Sequence, residues 1–168
     1  MEADRLSEFV RTDYPRVVAA LGFAWGDRTR AEDAVQEALA AACESRHEIG
    51  HLRKWVTTTA LNQLRSQHRR FDAERRALDR VERQPVPSSS AEHDILEREQ
   101  VLELLSRLPT RQREVVALHY LLDMSVREVA EATGVTEGTV KTQLHRARDA
   151  LRTEQIPLGS EEETDHVC

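Results

Sequence analysis

A set of cationic and hydroxyl side chains near the end of the chain has the composition of a nucleic-acid-binding surface. Lysine and arginine bind phosphate, and arginine, threonine and histidine also form hydrogen bonds with base edges. Apolar residues recur at helical spacing among them, at Val140, Leu144, Ala147 and Leu151, which predicts one helix with these four buried. The candidate DNA-binding residues are then Thr139, Lys141, Thr142, His145, Arg146 and Arg148.

Two alternatives stay open for this set. The helix could belong to a structural hairpin whose basic face is only solvated. His145 could contact a base or a phosphate, or it could be an ordinary surface residue.

The segment before this helix carries the signals of a helix-turn-helix. Ser125 and Glu128 have the spacing of a capping box, with Met124 and Val129 at the accompanying staple positions. Gly134 suits a left-handed helix end, and Thr136 suits the cap of the next helix. A helix-turn-helix usually places its second helix in the major groove of DNA.

A second basic segment lies in the first half of the chain. Residues 51–71 carry five cations and no acid, a net charge of +5, whereas residues 1–48 carry six arginines and ten acids, a net charge of −4. The apolar spacing predicts a long helix from about His51 to Phe71, with an extension towards Val81 as the alternative. One face of this helix is predicted to present Lys54, Thr58, Leu61, Asn62, Arg65 and Arg69.

An acidic face is predicted on the preceding helix. Thr29 and Glu32 have capping-box spacing, and buried alanines and Val35 define the opposite side of a helix that ends near Glu44. The outward residues are Glu32, Asp33, Gln36 and Glu37. Asp33 and Glu37 lie one turn apart and could in principle bind a metal, but no third ligand, phosphate loop or nucleophile motif accompanies them. A solvated helix surface is the other reading.

Composition favours an all-α fold of two small domains. Only 4% of residues are aromatic, 32% are charged, and glycine and proline are few. The segment QPVPSSS at 84–90 is typical of a flexible linker. We therefore predict a first domain at 1–82, a linker at 83–94, a helix-turn-helix domain at 95–152 and an acidic, disordered tail at 153–168 with five acids.

The sequence predicts neither a metal site nor a membrane segment. Cys43 and Cys168 lie in no Cys/His cluster, and no apolar run approaches the ~20 residues of a membrane span. Asp4, Arg5 and Glu8 interrupt any signal-peptide pattern. The composition fits a cytoplasmic protein.

Two blocks resemble bacterial sigma factors of the extracytoplasmic-function type. Residues 27–37, DRTRAEDAVQE, resemble the conserved region 2 signature, and residues 55–70 resemble the helix that follows it, with Trp55 and Asn62 at matching positions. Residues 108–115, LPTRQREV, resemble the start of region 4, and residues 138–148, GTVKTQLHRAR, its recognition helix. The connection at 44–50 departs from the family because it lacks the usual Arg-Phe-type aromatic.

The resemblance implies a promoter-specificity subunit of RNA polymerase, without catalysis or a cofactor of its own. The first domain would bind the polymerase clamp through the acidic face and recognise the melted −10 element. Single-stranded DNA needs cations for phosphate and a polar group for a flipped base, which Arg65, Arg69, Arg70 and Asn62 would supply. The second domain would recognise the duplex −35 element and contact the polymerase flap. Such proteins are often inhibited by an anti-sigma factor.

Three other classes of protein fit the sequence less well. A response-regulator-type transcription factor ends in a similar helix-turn-helix, but it needs a receiver domain of alternating strands and helices. An enzyme would need a third metal ligand beside Asp33 and Glu37, a phosphate loop or a nucleophile motif, and the sequence offers none of these. An anti-sigma or adaptor protein would leave both arginine-rich faces without a role.

Overall fold

The structure, a computed structural model, describes residues 3–78 and 103–153 of the 168-residue chain. Every regular element in these two ranges is helical, which confirms the all-α prediction with two helical domains. The predicted linker at 83–94, both of its boundaries and the tail beyond Thr153 lie outside the described residues. The exact domain limits therefore stay a prediction.

Residues 3–78 of the first domain form four helices. They are α1 (Ala3–Thr12), α2 (Tyr14–Trp25), α3 (Arg28–Glu44) and α4 (Leu52–Leu78). α3 packs against both α2 and α4, and α1 packs against α2. Alanine and valine dominate the buried side of α3, which lets the three long helices approach closely. The core includes the fully buried side chains of Leu21, Val35, Val56 and Leu64.

One predicted helix cap was wrong. Gly26 ends α2 in the left-handed conformation, with φ 68°, and leaves Asp27 extended. The Asp27 carboxylate then accepts a hydrogen bond from the Arg30 N–H at 3.0 Å, so α3 begins before the Thr29–Glu32 pair that was predicted to cap it. Aspartate caps a helix as well as threonine does, and Glu32 instead pairs with Arg28 at 3.0 Å.

In the described part of the second domain, the helical residues 103–106 are followed by three α-helices and one π-helical segment. They are α5 (Thr110–Val116), the π-helical segment Ala117–Leu121, α6 (Val126–Thr133) and α7 (Glu137–Thr153). α7 packs against α5 and α6. Its buried residues are the four that the spacing predicted, Val140, Leu144, Ala147 and Leu151.

The two domains pack against each other. α2 contacts α5 and the π-helical segment, and α4 contacts α6, so the buried residues of both domains form one continuous cluster. Leu61 was predicted to share an outward face with the α4 cations, but it is fully buried. In sequence it lies between Lys54 and Arg65, which both contact the second domain. Helical spacing can be predicted from the local sequence, but the packing of one domain on another cannot.

Candidate nucleic-acid interface

Both ends of α6 have the geometry that the sequence predicts. The Ser125 hydroxyl accepts from the Glu128 N–H at 3.2 Å, and the Glu128 carboxylate accepts from the Ser125 N–H at 2.9 Å. The backbone hydrogen bond from Ser125 lowers the pKa of Glu128. Gly134 ends α6 with φ 71°. The predicted capping box and left-handed cap are therefore confirmed, and they fix where α6 begins and ends.

Thr136 caps α7 as predicted. Its hydroxyl oxygen accepts from the Thr139 N–H at 3.1 Å and lies 2.9 Å from the Thr139 hydroxyl. The Thr142 hydroxyl donates to the carbonyl of Gly138 at 2.9 Å. Both hydroxyls of the candidate set thus already have a local partner, while each oxygen keeps lone pairs that a base or phosphate donor group could use.

Most of the α7 candidates lie on the surface. Thr139, Lys141, Thr142, His145 and Arg146 are exposed, and Arg148 is half-buried. Arg148 has a buried Nε with no hydrogen-bond partner among the described residues. The His145 ring lies 3.1 Å from the carboxylate of Asp149, which holds the imidazole near the end of the exposed face. α7 therefore presents a broad polar face opposite its apolar one.

The α4 candidates divide into two groups. Asn62, Arg69 and Arg70 are exposed, and within residues 3–78 and 103–153 their side chains have no hydrogen bond or ion pair. Asn62 and Arg69, seven residues apart, lie on one side of the helix. The Arg65 side chain, in contrast, is only 17% exposed and pairs with Glu114 of the second domain.

All three nitrogens of the Arg65 guanidinium donate hydrogen bonds across the domain interface. Its Nε and Nη2 donate to the two carboxylate oxygens of Glu114 at 3.1 and 2.7 Å. Its Nη1 donates to the carbonyl of Thr133 at 2.7 Å. Thr133 is the last residue of α6, where unpaired carbonyls and the negative end of the helix dipole favour a cation. Arg65 thereby caps the first helix of the helix-turn-helix.

Sequence analysis missed Glu114 as a partner. Its carboxylate is only 3% exposed, within the buried run 114–118 of α5 and the π-helical segment. A glutamate is almost never fully buried without a partner, so its place beside Val115 and Val116 was a signal that an arginine must contact it. The sequence did not indicate which arginine pairs with Glu114.

The predicted acidic face is present on α3. Asp33, Gln36 and Glu37 are exposed, and Glu32 is partly covered through its pair with Arg28. The Gln36 amide donates to the Tyr14 hydroxyl at 3.3 Å. Across the two described ranges, no three His, Cys, Asp or Glu side chains gather as a metal site would require. The arrangement suits contact with a basic protein surface.

No helix in the described ranges is both long and apolar enough to span a bilayer.

Comparison with known protein families identifies the second domain. Residues 98–151 match the family model described as Sigma-70, region 4. Over 143 residues the chain is 32% identical to the ECF RNA polymerase sigma factor SigL of Mycobacterium tuberculosis, covering 80% of this chain and 79% of that protein. It is 29% identical over 165 residues to the RNA polymerase sigma-E factor of Streptomyces coelicolor, covering 92% and 88%.

A solved structure resembles the whole arrangement. It is the sigma factor RpoE from Bartonella quintana, in complex with the anti-sigma factor NepR. Superposition gives a TM-score of 0.77 with 28% sequence identity, and covers 90% of this chain and 96% of that one. The likeness therefore extends over both domains.

Proposed function

Because the chain belongs to the extracytoplasmic-function family of RNA polymerase sigma factors, we propose that its domains divide promoter recognition between them. α7 binds the −35 element as duplex, and α4 binds the melted −10 element. Transcription initiation is the function of the family, and the proposal concerns how this chain carries it out. One observation carries this proposal. The polar face of α7 is exposed, and it directly follows a turn whose caps are those of a helix-turn-helix.

We propose that the −35 surface consists of Thr139, Lys141, Thr142, His145, Arg146 and Arg148. The exposed residues near the start of α7 are placed to reach base edges, as recognition helices generally do. Lys141 and Arg146 add phosphate contacts, which supply most of the salt-dependent affinity. Arg148 contributes from the edge of this surface, since it is half-buried.

We propose that the −10 surface consists of Asn62, Arg65, Arg69 and Arg70. Asn62 offers both a donor and an acceptor to an unpaired base, and the two exposed arginines follow it along the helix towards the strand's phosphates. Arg65 belongs to the same set by position, but its guanidinium is occupied by Glu114 and Thr133 in this arrangement.

The acidic face of α3 is proposed as the contact with core RNA polymerase. Glu32, Asp33, Gln36 and Glu37 carry three negative charges on one side of a rigid helix, and negative charge repels DNA. A basic surface of the polymerase clamp is the complementary partner, while the second domain contacts the flap.

The remaining proposals concern the regulation, the location and the domain limits of the protein. Since the solved Bartonella sigma factor is bound by an anti-sigma factor, we propose that a protein of that class also regulates this chain. A factor that acts with bacterial RNA polymerase works in the cytoplasm. The proposed domain limits are 1–82 and 95–152, with 83–94 as linker and 153–168 as an acidic tail.

Reconstituted transcription tests the proposal. The purified chain is added to matching core RNA polymerase on fragmented genomic DNA from its source, and transcript starts are sequenced. Discrete starts that share two upstream motifs would support the division of labour and identify both elements. Duplex binding without initiation would favour a conventional transcriptional regulator. Absence of both would contradict the proposal, provided that the chain is folded by circular dichroism.

A further inference from the structure

One aromatic side chain of α4 is exposed, and a cation lies over its ring. Phe71 is 53% exposed, and the Cζ of Arg30 lies 5.0 Å from the centre of the ring. The same guanidinium donates a hydrogen bond to the amide oxygen of Gln67 at 3.4 Å. Gln67 thus holds Arg30 in a cation–π contact on one side of the ring, while the remainder of the ring is open to solvent.

Phe71 lies where α4 leaves the core of the first domain. Within the described part of α4, Leu64 is the last buried residue. Arg30 is in the first turn of α3, and it contacts Gln67 and Phe71, so α3 ends opposite this point of α4. α4 has 27 residues and α3 has 17, and α4 is therefore longer by about 15 Å. The ring sits at the edge from which the helix projects.

The surroundings of the ring carry positive charge. Residues 65–77 contain five arginines and two acids, a net charge of +3 with histidine neutral. One of the acids, Asp72, lies 3.1 Å from the Nε2 of His68. Four exposed arginines flank Phe71 in sequence, namely Arg69, Arg70, Arg75 and Arg76. This end of α4 therefore attracts a polyanion.

Single-stranded nucleic acid is the polyanion that uses both the charge and the ring. Its phosphates bind arginine, and its unpaired bases stack on exposed aromatic side chains. Duplex DNA has no base face free, because its bases are already stacked on each other. An acidic protein surface would use the charge, but it has no flat π face to lay on a ring that a cation supports from one side.

We propose that Phe71, supported by Arg30, stacks on an unpaired base of the melted strand, beyond the base assigned to Asn62. The proposal rests on the proposed −10 role of α4 and adds a second base contact to it. Asn62 and Phe71 are nine residues apart, on opposite sides of α4 and about 13 Å apart along its axis. Arg69 and Arg70 lie between them on the helix surface and bind the intervening phosphates.

The two residues of the platform have different roles. Every base has a π face, so stacking on Phe71 adds affinity without sequence preference. Arg30 is a positioning residue, because it touches the ring and not the base. The sequence preference of α4 therefore comes from Asn62, whose amide forms hydrogen bonds.

The test measures binding of the full-length chain, without polymerase, to two fluorescent single-stranded oligonucleotides of equal length. One has mixed bases, and the other has the same sugar-phosphate backbone with abasic residues throughout. Phe71→Leu keeps an apolar side chain of similar size and removes the π face, whereas Phe71→Trp keeps an aromatic ring. Val10→Ala is the matched control, because Val10 is an exposed apolar residue of α1.

Phe71→Leu should weaken binding of the mixed-base oligonucleotide on the order of tenfold and leave binding of the abasic one unchanged. Phe71→Trp should bind the mixed-base strand at least as tightly as wild type does, and Val10→Ala should equal wild type on both strands. The salt dependence should be unchanged in Phe71→Leu, because no phosphate contact is lost. In Arg70→Ala the slope of log affinity against log salt should fall by about 0.7.

The role of Arg30 is tested in the same assay. Arg30→Ala should lose part of the affinity for the mixed-base strand and none for the abasic strand, and Arg30→Lys, which keeps a cation for the ring, should recover it. An equal loss on both strands in Phe71→Leu, or no loss on either, in a chain that is folded by circular dichroism, would overturn the proposal.

Asn62→Ala separates this proposal from the one before it. If Asn62→Ala weakens binding of the mixed-base strand and Phe71→Leu does not, stacking on Phe71 is wrong and the −10 role of α4 stands. If Phe71→Leu acts on the mixed-base strand alone, but reconstituted transcription gives no discrete starts, the promoter roles are wrong and the stacking site stands.

Discussion

Glu131 lies between two cations that belong to different domains. Its carboxylate is 2.5 Å from the Nζ of Lys54 in α4 and 3.1 Å from the Nε of Arg127, one turn earlier in α6. The hydrogen bond from Lys54, followed by that from Arg127, lowers the pKa of Glu131. The Lys54–Glu131 pair is exposed, so its contribution to the free energy of unfolding is modest and falls with added salt.

The first prediction is a pH dependence of this contact. A carboxylate whose pKa is lower in the folded state stabilises that state above its unfolded pKa, and this contribution is lost as the pH falls through the folded value. Wild type should therefore be more stable than Glu131→Gln at pH 7, and the difference should shrink below the ordinary glutamate pKa of about 4.5. Urea unfolding of both proteins at several pH values measures it. A difference that stays constant down to about pH 3 would count against the contact.

The second prediction separates the two DNA surfaces. Lys141→Ala and Arg146→Ala should each weaken binding to a duplex −35 site and reduce the slope of its salt dependence by about 1, as expected for the loss of one phosphate contact. Asn62→Ala should leave that binding unchanged and impair open-complex formation, because we propose that its amide contacts an unpaired base of the −10 element. Fluorescence anisotropy on duplex DNA and permanganate footprinting measure the two steps. Loss of duplex binding in Asn62→Ala would refute the two-surface arrangement.

The third prediction concerns the turn of the helix-turn-helix. Gly134 has φ 71°, and a Cβ added there would meet no atom within 4 Å, so Gly134→Ala introduces conformational strain without a clash. We expect a loss of about 1 kcal/mol in the free energy of unfolding. Gly50→Ala is the matched control, because a Cβ there also meets nothing within 4 Å and its φ is not positive. Equal stability of the two variants would show that the turn tolerates another conformation.

The fourth prediction tests the capping box. Ser125→Ala removes the hydroxyl that accepts from the Glu128 N–H and should lower the free energy of unfolding by about 1 kcal/mol. Ser7→Ala, at an exposed position inside α1, should have no such cost, because alanine is the better helix former there. Thermal or urea unfolding of the two variants decides whether the cap stabilises α6.

The fifth prediction concerns the acidic tail. Residues 153–168 carry five acids and no lysine or arginine, so we expect them to compete with DNA for the basic faces. Deleting them should strengthen duplex binding by the free chain at low salt, and the gain should vanish at high salt as charges are screened. Identical affinities with and without the tail at low salt would exclude this competition.

The sequence by itself determined α3, α4, α6 and α7, the turn of the helix-turn-helix and most of the exposed candidates. Capping residues and left-handed glycines act over three or four positions, so Ser125, Gly134 and Thr136 could be assigned from local spacing alone. The cap of α3 was assigned two residues late, since Asp27 and Thr29 are both good caps and only the conformation after Gly26 distinguishes them.

Only the tertiary structure decided what lies on the other side of α4. Helical periodicity shows which residues share a face, but it does not show whether that face meets solvent, DNA or another domain. Leu61 and Arg65 were both predicted to face outward, and both are covered by the second domain. The pairing of Arg65 with Glu114 joins residues 49 positions apart. Such a contact depends on how two separately predictable domains pack, for which no local sequence signal exists.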